Sequence, residues 1–428
     1  MDVTDAMGAM EADAADWVVS GLATLTGEPD GPPDLSRAAV LARARAVAAE
    51  LQARLDISGC SGVRIDAAAL LTGRAALLGL SRRGRISAGG ATRLLAARDG
   101  WFALTLSRPD DLAAVPALVE ADVLDDVWPA IEQWSRHRAI AEIADRARLL
   151  GLPIGALGET RPGPPVIRGS GPRRAHRGYA GLLVADLSSM WAGPLCGQLL
   201  RQAGAQVVKV ESWSRPDGTR SGDGRFFDWL NAGKLGYAAD FEQPAALREL
   251  LAAADVVLES SRPAALAARG LGPADLPARP GRVWLRITGH GCHGEQAGWV
   301  GFGDDTAVAG GLVGSAGPPA GRPRPVPVFC GDAIADPLTG LQGALAIAES
   351  LARGGGEVIE LSMASVAANY AALPGIPAGS AIAGSSPGAT AGSAPWPAPK
   401  LPALTRDTAP ALGQDNLRVA ELLRARAC

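Results

Sequence analysis

Two aspartates four residues apart, Asp332 and Asp336, lie in the run Cys330-Gly-Asp-Ala-Ile-Ala-Asp-Pro-Leu-Thr-Gly340, just ahead of a helical stretch, Leu341–Leu351. An Asp before Pro at a helix start ordinarily serves as an N-cap, its oxygen taking a free backbone N–H. A carboxylate at the positive end of a helix also stays ionised and can attack an activated acyl group. Asp332 competes for either role. His290-Gly-Cys-His293 brings three ligand-type side chains together, but the spacing matches no standard zinc pattern, and the remaining histidines are His137 and His176. The expectation there is a polar turn, with no metal. Glu211 could hold a ribose one βαβ unit after the first strand, yet Ser188–Gly197 lacks the glycine pattern of a dinucleotide loop.

These residues need elements to position them. Leu182–Asp186, Gln206–Glu211, Asp255–Glu259, Arg282–Thr288 and Glu357–Leu361 are short runs rich in β-branched residues and read as strands. Pro194–Ala203, Pro244–Ala253 and Pro337–Ala352 carry apolar residues at helical spacing. Alternation of this kind predicts an α/β fold with a Rossmann-like, doubly wound, mostly parallel sheet. Ligands then gather at the carboxyl ends of the strands, in the loops after Asp186, Glu211, Glu259 and Thr288.

Upstream, Leu35–Leu55 and Val127–Leu149 read as helices and Gly100–Leu106 as a strand, giving a smaller α+β domain in the N-terminal half. The expected division is 1–158 for that half, 159–178 for an aperiodic Pro/Gly/Arg-rich connection, and 179–372 for the main domain. A low-complexity linker, 373–402, and a C-terminal segment, 403–428, with Gln414–Ala427 helical, complete it. The segment Ser20–Pro33 is echoed by Gly310–Pro319, each ahead of an Ala-rich helix, and Val63–Ala69 by Val358–Ala364. In this echo Asp336 falls opposite Ser36 or Arg37.

The run Val184-Ala-Asp-Leu-Ser-Ser-Met-Trp-Ala-Gly-Pro-Leu-Cys-Gly-Gln-Leu-Leu200, followed by Gly204–Glu211, resembles the opening of class III CoA-transferases. The likeness continues through Leu230-Asn-Ala-Gly-Lys234 with Asp240, Ala254–Pro263, Ile287–Gly291, Gly301–Gly317 and the Asp336 segment, and ends near Ala368. It implies an enzyme that moves CoA from an acyl-CoA to a free carboxylic acid through anhydride and thioester intermediates on one aspartate. Asp336 matches that aspartate through the Thr339-Gly340 pair, which Asp332 lacks.

By the same likeness Ser189, Trp191 and Ala192 contact CoA, and Asn231, Lys234 and Arg262 line the nucleotide and pyrophosphate. Ser212 stands where some members carry an arginine. Racemases of this fold use a histidine where this chain has Phe302, which disfavours proton transfer there. Residues 89–106 and 128–155 resemble the family's glycine-loop entry and small domain, and 408–413 its C-terminus. The order is thus rearranged, with a partial rear half in front. Gly89 and Gly90 would supply a loop over Asp336, in cis or from a second subunit, in a homodimer, in this family an interlocked one. A non-catalytic acyl-CoA-binding relative is the alternative.

The chain has 428 residues, 47% of them apolar, and a net charge of −3. Near-neutral charge leaves no basic field for nucleic acid, and no apolar run reaches the length that spans a bilayer. Cys60, Cys196, Cys292, Cys330 and Cys428 are few and widely spaced, as in a reducing, cytoplasmic setting. No permanently bound cofactor is expected; the CoA thioester is substrate.

Overall fold

A computed structural model describes residues 3–60, 62–175, 178–316, 326–376, 396–405 and 407–427. The chain opens with three helices, α1 (Val3–Val19), α2 (Ala39–Ile57) and α3 (Ala67–Leu78), the last capped by the Asp66 carboxylate on the Ala69 N–H. A small antiparallel sheet follows, β1 (Thr92–Ala96), β2 (Trp101–Thr105) and β3 (Ile154–Ala156), in that order across the sheet. Between its second and third strands run α4 (Pro109–Val119), α5 (Val127–Ser135) and α6 (Ile140–Leu149). Leu95, Phe102, Leu104, Val115, Ile131 and Ile143 form a separate core beneath them.

The expected single helix over Val127–Leu149 is therefore two. Ile140 starts anew because its N–H is taken by the Asp99 carboxylate. The connection read as aperiodic, 159–178, contributes β4 (Val166–Gly169), an exposed edge strand antiparallel to a strand far down the chain.

The main unit then alternates β5 (Leu183–Leu187), α7 (Ala192–Gln202), β6 (Gln206–Ser212), α8 (Gly224–Asn231), β7 (Leu235–Ala239) and α9 (Ala245–Ala253). It continues with β8 (Val256–Glu259), α10 (Pro263–Ala267), β9 (Val283–Thr288) and α11 (Gly303–Ala309). A hairpin of β10 (Val313–Ala316) and β11 (Val326–Phe329) leads to α12 (Ala335–Ala352), β12 (Glu357–Ser362), α13 (Met363–Ala371) and the closing α14 (Asn416–Ala427).

The seven strands lie in the order β4-β12-β9-β8-β5-β6-β7, parallel throughout except for β4. This is the mixed α/β class expected. Parallel strands are covered on both faces, which is why β5, β8 and β9 are apolar at nearly every position. The α1–α3 helices share one continuous core with α7, α12 and the sheet: Trp17, Leu41 and Leu51 cluster with Leu195, Leu285 and Leu341.

The helices of the two echoing segments, α2 and α12, pack against each other. Their sequels differ: Val358 enters β12, whereas Val63 forms no strand before α3. Most of the predicted linker, 377–395, and Gly317–Pro319 of the echo lie outside the described residues. No helix among the described residues is long and apolar enough to cross a membrane.

Candidate active site

Asp336 lies inside the first turn of α12, since the helix begins at Ala335 and Ile334 occupies the cap position with no side-chain bond. The N-cap expectation is thus corrected. The carboxylate is free for other work because Pro337, lacking an N–H, needs no partner in the first turn. Two neighbours set its approach. The backbone N–H of Ala192, at the start of α7, is on a side of the carboxyl where it favours the ionised form. On another side is Gly303, the first residue of α11, where a Cβ would overlap both Asp336 Oδ2 and the Ala333 carbonyl. Ala333 itself adopts a left-handed φ of 42° and donates its N–H to Asp304 Oδ1 at 3.0 Å.

Four carboxyl groups meet here. Burial pushes Asp336 up to about 7, opposed by Arg74 and by the Ala192 hydrogen bond and reinforced by Asp304 and Asp332. Burial likewise raises Asp305 to about 8, and burial with the Asp332 charge raises Asp304 to about 6. Asp332 is raised by burial against the pull of Arg74. Such a cluster of raised carboxyls in a packed setting is what a site for acyl or proton chemistry requires.

The N-terminal half reaches into this cluster. Arg74, on α3, donates Nη1 to Asp332 Oδ1 at 2.6 Å. Thr92 on β1 bonds Asp304 at 3.3 Å, and Thr105 on β2 bonds Asp305 Oδ2 at 2.7 Å. Gly89 is exposed, and a Cβ on it would come within 3.0 Å of Arg74 Nη2; Gly90 takes φ +83° beside Arg83. The predicted glycine loop thus lies against Arg74 within the same chain.

The loop after β5 lies across the start of α7. Asp186 caps its own loop by accepting the Ser188 N–H and hydroxyl. Lys209 bridges Asp217 and the Ser188 carbonyl, while Asp217 holds the N–H of Met190, whose φ of 71° marks a tight turn. Ser189 is exposed and donates its backbone N–H to the Ser260 hydroxyl oxygen. Trp191 is buried, edge-on to Phe226 and Trp229, with the Arg74 guanidinium over it at 5.9 Å. Ala192 is buried at the head of α7.

Lys234 and Asn231 depart from the expected nucleotide contact. Lys234 Nζ donates to Asp186 Oδ2, the Pro194 carbonyl and Asn231 Oδ1 at 2.9, 2.9 and 3.1 Å. An ammonium has three N–H donors, so all are spent inside the protein. Asn231, wholly buried, gives its amide to the Phe227 carbonyl. Arg262 is exposed at the start of α10.

His290 and His293 separate, the first buried against Trp299 and the second bonded to Glu360 and Arg168. Glu211 is occupied by Arg220 and the Asp217 N–H. Phe302 lies under Arg108 at 5.7 Å. Sequence reasoning overlooked Arg74, Asp304 and Gly303. The segment Gly301-Phe-Gly-Asp-Asp305, inside the Gly301–Gly317 stretch of the likeness, held the signal for the last two, and nothing local marked Arg74.

The family model for CoA-transferase family III matches residues 179–395, half of the chain, and the chain belongs to that family. It is 32% identical over 191 residues to a succinyl-CoA–D-citramalate CoA-transferase of Chloroflexus aurantiacus, covering 42% of this chain and 48% of that one. It is 33% identical over 210 residues to a succinate–glutarate CoA-transferase of Agrobacterium fabrum, covering 44% and 51%. A human alpha-methylacyl-CoA racemase is 29% identical over 188 residues, covering 43% and 47%. A crystal structure of a CaiB/BaiF family protein from Brucella suis superposes with a TM-score of 0.38 at 31% identity, over 45% of this chain and 54% of that one. The chain spans about half the length of the curated relatives it matches.

Proposed function

We propose that this protein transfers CoA from an acyl-CoA thioester to a free carboxylic acid, with Asp336 as the covalent nucleophile. The Asp336 carboxylate attacks the thioester carbonyl; the C–O bond forms, the C–S bond breaks, and a mixed anhydride and CoA thiolate result. The thiolate attacks the aspartyl carbonyl and releases the donor's carboxylate, leaving an aspartyl-CoA thioester. An acceptor carboxylate attacks that thioester, giving a second mixed anhydride and thiolate. Attack of the thiolate on the acceptor's acyl carbon frees Asp336 and the new acyl-CoA. One hard exchange becomes several easier steps.

The observation that carries this reading is the Asp336 carboxylate packed against Gly303, where any side chain would overlap Oδ2, with the Ala192 N–H near enough to favour its charge. A backbone donor there would serve an oxyanion formed at the carboxyl. Ser189, Trp191 and Ala192 then flank the thioester end, and exposed Arg262 meets the CoA phosphates. Asn231 and Lys234 act beneath them, fixing the Pro194 carbonyl and hence the first turn of α7. Phe302, unable to accept a proton, argues against racemisation.

Intact-protein mass spectrometry with succinyl-CoA and branched acyl-CoAs tests this. Wild type should gain a CoA adduct on the Asp336 peptide, and Asp336→Ala none. Binding of CoA esters without any adduct would replace the transferase reading with that of an acyl-CoA-binding protein.

A further inference from the structure

Arg74 has more hydrogen-bonding capacity than its one hydrogen-bond partner among the described residues uses. It is the cation whose charge acts on both Asp332 and Asp336, yet it gives a single N–H to Asp332 Oδ1. A guanidinium carries five such donors in a planar fork suited to carboxylates. Asp332 is wholly buried, and its second oxygen, Oδ2, has no partner among the described residues. The usual two-point Arg–carboxylate pair is thus left half-made. The Arg74 side chain keeps 24% exposure, is flanked by the rings of Trp191 and Phe226, and has its Nη2 beside Gly89, where a Cβ would come within 3.0 Å of it.

The chemistry proposed above needs a group of this kind. A carboxylate must leave and another must enter beside a cluster of aspartates, whose ionised members would repel it. We propose that Arg74 binds the carboxylate of the acceptor acid, and of the departing donor acid, through the guanidinium N–H groups that Asp332 leaves free. This rests on the transferase reading and extends it to substrate recognition. The N-terminal half then sets acceptor choice, while the half bearing Asp336 supplies the nucleophile.

The test compares wild type, Arg74→Met and Arg74→Lys, with succinyl-CoA as donor and glutarate as acceptor. In Arg74→Met the KM for glutarate should rise about tenfold or more, the loss of one charge-assisted contact. The KM for succinyl-CoA should change less, and the CoA adduct should still form from donor alone. Arg74→Lys should fall between, and added guanidinium ion should lower the glutarate KM of Arg74→Met. Equal rises in both KM values with parallel loss of the adduct would overturn the proposal and leave Arg74 as a structural partner of Asp332. Calorimetry separates the two readings. Asp336→Asn, which cannot turn over, should bind glutarate, and Asp336→Asn/Arg74→Met should not. Retained binding in the double variant overturns the role of Arg74, whereas a wild type without adduct overturns the transferase reading.

Discussion

At the scale of single residues, the proposed chemistry turns on how much of Asp336 is ionised. Its carboxyl is pushed from an ordinary carboxylate value up to about 7 by burial, so at neutral pH only part of the population carries the nucleophilic form. The rate of CoA adduct formation should therefore rise between pH 6 and pH 8 and level off above. A flat profile across that range would rule out a raised nucleophile. The same shift has a stability consequence. Between the unfolded value of 3.8 and about 7 the folded state binds the extra proton, so Asp336 costs stability progressively as pH rises through that window. Asp336→Asn, which cannot ionise, should melt above wild type at pH 8, with the difference vanishing by about pH 4. Differential scanning at both pH values checks the sign.

At the scale of elements, the site depends on how closely α7 and α12 approach. Gly340 sits at their crossing, where a Cβ would come within 2.6 Å of the Ala192 carbonyl and 3.1 Å of Leu195 Cβ. The glycine of the Thr339-Gly340 pair that marks Asp336 in the sequence is thus a packing requirement: Gly340 lets α12, which bears Asp336, approach the first turn of α7. Gly340→Val should destabilise the protein by roughly 1–3 kcal/mol through overpacking. It should also slow adduct formation more than it weakens CoA binding, because the two helices must part; an unchanged adduct rate would count against this geometry. The same elements show what the sequence revealed. β5, β6, β8, β9 and β12 were legible because parallel strands buried on both faces are dense in Val, Ile and Leu. β7 was not, since Leu-Gly-Tyr-Ala-Ala lacks that signature, and β4 was not, since its four exposed residues become a strand only by pairing with β12. Asp336 stood out by its own segment, whereas Arg74 reaches its partner across 258 positions of chain, a distance no local pattern spans.

At the scale of the whole molecule, the acid cluster draws its neighbours from both ends of one chain. Arg74, Thr92 and Thr105 from the N-terminal half bond Asp332, Asp304 and Asp305 from the C-terminal half. α2 packs along α12. The N-terminal half thus folds back onto the half that carries Asp336. The proposed site would then be completed within one chain, even if two chains associate. Mixing Arg74→Met with Asp336→Asn, each defective in a different half, should then restore no turnover when assayed at glutarate well below the raised KM of Arg74→Met, where that variant alone is nearly silent. Were the halves exchanged between subunits, mixed dimers would hold one complete site each, and an equal mixture would recover about a quarter of wild-type activity. Recovery of that size would move the cluster to a subunit interface, and its absence would leave each chain as a complete catalytic unit.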